Sequence, residues 1–243
     1  MWRVRNIIQI LIFFFLWDSV FRDHHQIIFG YSKEKILTYA FLLLFVRAFV
    51  MSSRSNDAAG QIANGDLSNL LLKPLNFFKY WLTRDLASKF LNLIFSSFEI
   101  AILFFLLRPD IFIQFNLLNW LYFVLATLIA IFIFFNILML TNFVPFWAPE
   151  TAWGAQFLII VIITEFLSGA FFPLDVFPEV VFDILKFTPF PYLIYVPIKI
   201  YLGADISFII QSFAISVFWS IALWKITNLV YQKGLKVYEG VGR

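Results

Sequence analysis

The chain contains no cysteine, which excludes a disulfide framework and any thiolate-held metal site. Charge is scarce: 14% of residues are Asp, Glu, Lys or Arg, against about 25% in an ordinary soluble domain. Histidine occurs only as the adjacent pair His24 and His25. With no cysteine and few acids nearby, that pair reads as part of a solvated loop, and no metal site is expected. A Gly-x-x-x-x-Gly-Lys-Ser/Thr phosphate loop is missing. Gly234, Gly240 and Gly242 lack the strand–loop–helix context and the placed lysine that such a loop needs, so the chain is not expected to hydrolyse ATP. No His, Asp or Ser cluster stands at helical spacing inside an apolar run, which argues against protease or transferase chemistry within a membrane. The formal charge of +3 calls for no nucleic-acid partner, because basic residues at a membrane surface account for it.

What the chain has instead is apolar surface. Hydrophobic residues make up 62% of it, phenylalanine alone occurs 34 times, and mean hydropathy is +0.87. This composition predicts an all-α integral membrane protein with a single transmembrane domain over residues 1–243. A helix crosses a bilayer with roughly 17–25 residues, and six candidate spans emerge at about 4–21, 34–51, 86–107, 117–144, 153–172 and 206–230. The first apolar run ends at Trp17, Asp18 and Phe21 without a small-residue cleavage site, so it reads as a retained span rather than a signal peptide. No internal repeat and no inverted pair of broken helices stands out.

With the N-terminus inside, the cytoplasmic segments hold Arg3, Arg5, Arg54, Lys73, Lys79, Arg84, Lys89, Lys233, Lys236 and Arg243. The outer segments hold Arg22, Lys33, Lys35, Arg108, Lys186 and Lys199, interleaved with acids. Ten against six favours both termini in the cytoplasm.

Two connections carry more than a turn. The cytoplasmic segment 52–85 opens with SSRSNDAAGQIANGD and continues through a short amphipathic stretch, Leu67–Lys73, to Pro74, which ends a helix. The aromatic and basic stretch Leu75–Arg84 suits a membrane–water interface. The second connection, Gly169–Gly203, holds five prolines, too many for one spanning helix, yet it is too apolar for a solvated loop. Irregular backbone survives at membrane depth only where protein or a wet cavity satisfies its polar groups, so this segment is expected to dip into the outer leaflet and return. Charges inside the spans are functional candidates or hydrogen-bonded between helices. Glu99 and Glu165 are such intramembrane acids, while Asp18, Arg47 and Lys225 lie nearer span ends and are expected to snorkel.

Three stretches resemble the permease subunit of type-2 ATP-binding-cassette (ABC-2) exporters. Gln61-Ile62-Ala63-Asn64-Gly65-Asp66-Leu67, continuing to Leu71-Leu72-Lys73-Pro74-Leu75, resembles the family's acid-Ile-x-x-Gly-x-Leu … Leu-Leu-x-Pro segment. Ser168-Gly169-Ala170-Phe171-Phe172-Pro173-Leu174, with Phe177-Pro178 and Thr188-Pro189-Phe190, resembles its Ser-Gly-x-x-x-Pro-Leu … x-Pro … x-Pro-Phe signature. The tail Lys236-Val237-Tyr238-Glu239-Gly240-Val241-Gly242 is similar to that of a subgroup linked to antibiotic self-resistance.

The resemblance implies six transmembrane helices, a cytoplasmic coupling helix at about Ile62–Lys73 and an outer re-entrant hairpin within 173–205, broken at Thr188-Pro189. It assigns ATPase coupling to Ile62, Gly65, Leu67, Leu71, Leu72 and Pro74, and an outer gate to Gly169, Pro173, Pro178, Pro189 and Phe190. It implies a second permease, homodimeric or related, and a separate ABC ATPase that carries ATP and Mg. The chain itself binds no cofactor in this reading, and the membrane is the cytoplasmic one of a bacterium. Two features depart from the family pattern: Gln61 replaces an acid, and only three to five residues precede the first span. A non-transporting membrane scaffold and a proton-coupled transporter using Glu99 or Glu165 remain as alternatives.

Overall fold

The computed structural model describes residues 2–21 and 27–238, with side chains from Ile7 onward; His24 and His25 and the end of the C-terminal motif lie outside the described residues. Those residues form helices only: α1 (Trp2–Val20), α2 (Lys33–Val50), α3 (Asp57–Ala63), α4 (Leu67–Leu71), α5 (Phe77–Leu107), α6 (Leu117–Asn142), α7 (Ala152–Gln156), α8 (Glu165–Leu167), α9 (Glu179–Leu185), α10 (Tyr195–Tyr201) and α11 (Ile206–Val237). Four elements are long and apolar enough to cross a membrane: Phe77–Leu107, Leu117–Phe146, Pro149–Leu167 and Ile206–Val237. Of the six spans expected, the first two do not meet that measure. Among the residues of α1 whose side chains are described, Ile7–Val20 form an apolar helix shorter than that measure, and α2 carries Lys33, Glu34, Lys35 and Arg47 within its 18 residues.

The layout follows from which helices are apolar all round. α6 is the hub: its second half, Ala126 to Asn142, is largely buried and packs against α11, α10 and α2. α1 lies on the other side of α2, with Phe13 stacked on Tyr39 at 6.2 Å. α5 packs along α2 and exposes Phe90, Ile94, Phe98 and Phe105, as a helix facing lipid does. α5 begins at Phe77, earlier than the expected 86, because Asn76 caps it by accepting from the Lys79 amide at 3.0 Å and the aromatic run beyond continues the helix. Phe77, Phe78 and Trp81 then bury against Phe143, Phe146 and Tyr231 in a second apolar cluster. α11 also runs past its expected end; its 32 residues make a rod about 48 Å long at 1.5 Å per residue.

The fifth long element is not a plain α-helix. Between α7 and α8 lies a π-helical stretch, Phe157–Thr164, and the Thr164 hydroxyl donates to the Ile159 carbonyl at 2.7 Å. The element stops at Leu167, short of the expected 172, because Gly169 takes φ +86°. Its backbone is held on three sides: the Tyr39 hydroxyl donates to the Gly169 carbonyl at 2.8 Å, the Tyr195 amide donates to the Ser168 carbonyl at 3.0 Å, and the Gln9 amide donates to the Ala170 carbonyl at 3.1 Å. From there the chain turns through Pro173 into α9, crosses Thr188-Pro189, and continues as α10. Tyr195 to Leu202 are almost wholly buried against α6 and α2. The backbone carbonyls at the start of this irregular segment are satisfied by protein groups.

A side chain at Gly169 would meet the Tyr39 hydroxyl at 2.8 Å and the Tyr195 Cβ at 3.0 Å, in a backbone region that disfavours L side chains. Gly169→Ala is expected to cost about 1–3 kcal/mol and to lower the midpoint of thermal unfolding in micelles. Gly60→Ala, on α3 with open space around the new methyl, should leave that midpoint unchanged or raised.

Candidate functional site

Sequence position alone makes Arg47 a snorkelling residue, one turn from the end of α2. The structure overturns this. Arg47 is 5% exposed, and its guanidinium lies 2.5 Å from the carboxylate of Glu165, itself 6% exposed. A second guanidinium nitrogen donates to the Gln9 side-chain oxygen, while the Gln9 amide donates to the Ala170 carbonyl. The network therefore joins α1, α2, the end of the fifth element and the first residues of the broken segment. A buried ion pair is favourable only when its geometry is tight and its remaining groups are hydrogen-bonded, and Gln9 supplies part of that here.

A cavity of about 220 Å³ leads to this pair between the end of α2 and the fifth element. Met51, Phe157, Ile160 and Val161 wall it, with Trp153 at one end and Glu165 at the other. Trp153 is 85% exposed. Gln156 holds the rim by donating to the Asn56 carbonyl at 2.9 Å and to the Asn142 side-chain oxygen at 2.7 Å. Glu99, the other intramembrane acid, is half-buried on α5 and does not line this cavity.

At one end of the helices the segment between α2 and α5 folds into two short helices rather than one. Gly65, at φ +84°, makes the bend between α3 and α4. Ala58, Ile62, Leu67 and Leu70 are buried beneath, whereas Leu71 is 47% and Leu72 86% exposed, and Pro74 is exposed beside them. α4 is tied to the tail of α11, because the Ser68 amide donates to the Tyr238 hydroxyl at 3.2 Å. Lys89, wholly buried, donates to the carbonyls of Val50 at 2.6 Å and Ser52 at 2.7 Å and lies 3.3 Å from Asp85. It thus caps the C-terminus of α2, where a cation offsets the helix dipole.

At the opposite end Asp175 collects three donors: the hydroxyls of Tyr31 and Tyr195, the latter at 2.8 Å, and the Lys199 ammonium at 3.0 Å. This fastens the broken segment to the loop before α2. Burial, with the Asp175 carboxylate beside it, holds the Tyr31 phenol far above its ordinary value, so it stays a donor at any physiological pH. Of the expected gate residues, Gly169 and Pro173 sit at the turn after Leu167, Pro178 is the exposed N-cap of α9, and Pro189 and Phe190 make the bend before α10.

The family model described as ABC-2 family transporter protein matches residues 7–242. The chain belongs to the ABC-2 transporter family. It is accordingly a multi-pass membrane protein of a transport family. No curated protein and no solved structure matches it. The match to the ABC-2 family covers both broken connections and the Arg47–Glu165 pair, but it assigns no residue a role.

Sequence reasoning found Glu165 and missed Arg47 as its partner, Gln9 as the bridge, Lys89 as a cap and the π-helical stretch. The only available signal was that a basic residue inside an apolar run needs an acid somewhere in another one. Removing one member of the pair strands a buried charge. Arg47→Met or Glu165→Leu alone is expected to lower stability by about 3–5 kcal/mol, and the double variant to recover most of the loss. A double-mutant cycle on unfolding in micelles measures the coupling; simple additivity of the two losses would refute it.

Proposed function

We propose that the chain is the membrane-spanning permease subunit of an ATP-driven exporter in the cytoplasmic membrane of a bacterium. Two permeases, identical or related, form the path, and separate ATPase subunits carrying ATP and Mg dock beneath. The observation that carries this reading is the build of the cytoplasmic segment. Its inner face is buried and its outer face presents Leu71 and Leu72 to the cytosol. Exposed leucines on a short folded element mark a surface for another protein. That element is joined to α5 through the shared apolar cluster and to α11 through Tyr238, and α5 is in turn tied to the end of α2 by Lys89.

In this reading α1 and α2 complete a set of six spans with both termini in the cytoplasm. Hydrolysis in the partner displaces α3 and α4, α2 moves with them, and the contact between α2 and the fifth element opens. The segment from Gly169 to Leu202 closes the outer exit until then. The commitment of Glu165 to Arg47 speaks against the proton-coupled alternative, which needs an acid without a fixed cation.

Leu72→Arg and Leu71→Arg, both at exposed positions, test this. Both are expected to leave the protein folded in micelles, to abolish co-purification with the ATPase subunit or its stimulation, and to remove ATP-dependent flux in proteoliposomes. Full flux in both variants would sink the proposal.

A further inference from the structure

We infer that the groove between α2 and α5 holds an acidic phospholipid, its phosphate on Arg108 and one acyl chain along the helix. This goes beyond the transport reading and does not depend on it. The groove has a volume of about 640 Å³ and is lined by Phe45 of α2 and, on α5, by Ile100, Ala101, Phe104, Phe105 and Arg108. Ser97 lines its other end. These α5 positions recur three and four residues apart from Ser97 onward, so they share one face of the helix.

Its length and its position in the helix fit a lipid chain. α5 is long and apolar enough to cross a bilayer, and Phe98, Ile102 and Phe105 are exposed along it. From Ser97 to Arg108 the helix rises about 16 Å at 1.5 Å per residue. Half of a bilayer's hydrocarbon core is about 15 Å thick. The groove is therefore as long as one leaflet's chains, and Arg108 falls at head-group level. Arg108 is also where α5 ends. It takes φ +43°, its amide donates to the Phe104 carbonyl at 3.0 Å, and Pro109 follows, which cannot continue the helix. The cation is thus fixed at the end of the groove.

The apolar walls give fit but little choice among lipids, because tails elsewhere in the bilayer are equally apolar. Phe41, edge-on to Phe104 at 6.5 Å, braces one wall. The head group decides the choice. A guanidinium presents a planar fork of N–H donors that matches a phosphate, and basic pockets between membrane helices take acidic head groups. Phosphatidylcholine offers the same phosphate with a cation beside it. Phosphatidylglycerol offers it beside a neutral glycerol, and so brings Arg108 a net negative charge.

The chain has no cysteine, so a single introduced one can report on this groove alone. Ile102→Cys, at a position 59% exposed and three residues before Phe105, carries a bimane label. The full-length protein is placed in phosphatidylcholine vesicles. These contain a small, equal mole fraction of phosphatidylglycerol or phosphatidylcholine with identical chains, one bearing a nitroxide quencher halfway along. At residue 102 the phosphatidylglycerol is expected to associate at least about threefold more strongly, the preference one basic side chain near a membrane surface supplies. Leu106→Cys, 69% exposed, repeats the reading with a second reporter. Arg108→Gln is expected to bring the two lipids to parity at both reporters. Phe218→Cys on α11, 61% exposed, reports lipid elsewhere around the protein and is expected to show no preference. Equal quenching by both lipids at residues 102 and 106 overturns the inference. So does a preference that survives Arg108→Gln or that is as large at residue 218. Labels at 102 and 106 that neither lipid reaches overturn it too, because protein then covers the groove.

Discussion

A guanidinium and a carboxylate held 2.5 Å apart in the apolar interior decide where the second and fifth membrane segments stand. Either charge alone costs several kcal/mol at that depth, so each helix is driven to the position that presents its charge to the other. Gln9 then reads the pair out to two further places, α1 on one side and the Ala170 carbonyl on the other. With Tyr39 on the Gly169 carbonyl, the start of the broken segment is fixed relative to α2 rather than to the helix it leaves. The cavity exists because the fifth element leans on α2 near Glu165 and leaves the Trp153 end open.

The two ends of the molecule are fastened differently. At the end that holds α9, Asp175 with Tyr31, Tyr195 and Lys199 is a local, half-buried polar knot. At the end that holds α3 and α4, the short helices rest on an apolar bed of Phe77, Trp81, Phe143 and Phe146, and Gly234 lets α11 approach so closely that a methyl group there would fall 2.3 Å from the Phe146 ring. An apolar bed of aromatic rings has no directional bonds to break and permits small sliding, whereas the polar knot and the buried pair hold discrete arrangements. Under the proposed coupling, a displacement of α3 and α4 would be taken up as movement of packed helices until the ion pair yields.

Much of this was legible in the residues. Long apolar runs gave α5, α6 and α11, since little else satisfies a chain so poor in charge. The prolines from Pro173 to Pro197 announced the broken segment, and Pro74 announced the end of a helix before α5, but that Gly65 divides this stretch into α3 and α4 was not read. What escaped was whatever depends on two distant positions at once. Arg47 near the end of a helix has a cheap alternative in snorkelling, and nothing local says that Glu165 waits for it. Lys89 looked like a surface charge because its partners are carbonyls, which every residue has. The π-helical turn leaves no mark, since Phe157 to Thr164 is as apolar as any span. The count of six spans blurred at α2 for a local reason: Lys33, Glu34 and Lys35 crowd its first turn, so its 18 residues carry four charges with Arg47.

The separation of Arg47 and Glu165 along the chain, 118 residues, sets an order on biogenesis. At roughly 5–20 residues per second of synthesis, α2 leaves the ribosome about 6–24 s before its counter-ion exists. Until then the arginine lacks the carboxylate, while Gln9 on the earlier helix is already made. The final placement of α2 thus waits for a later part of synthesis, when the fifth segment arrives, and the N-terminal helices made alone lack the carboxylate that pairs with Arg47.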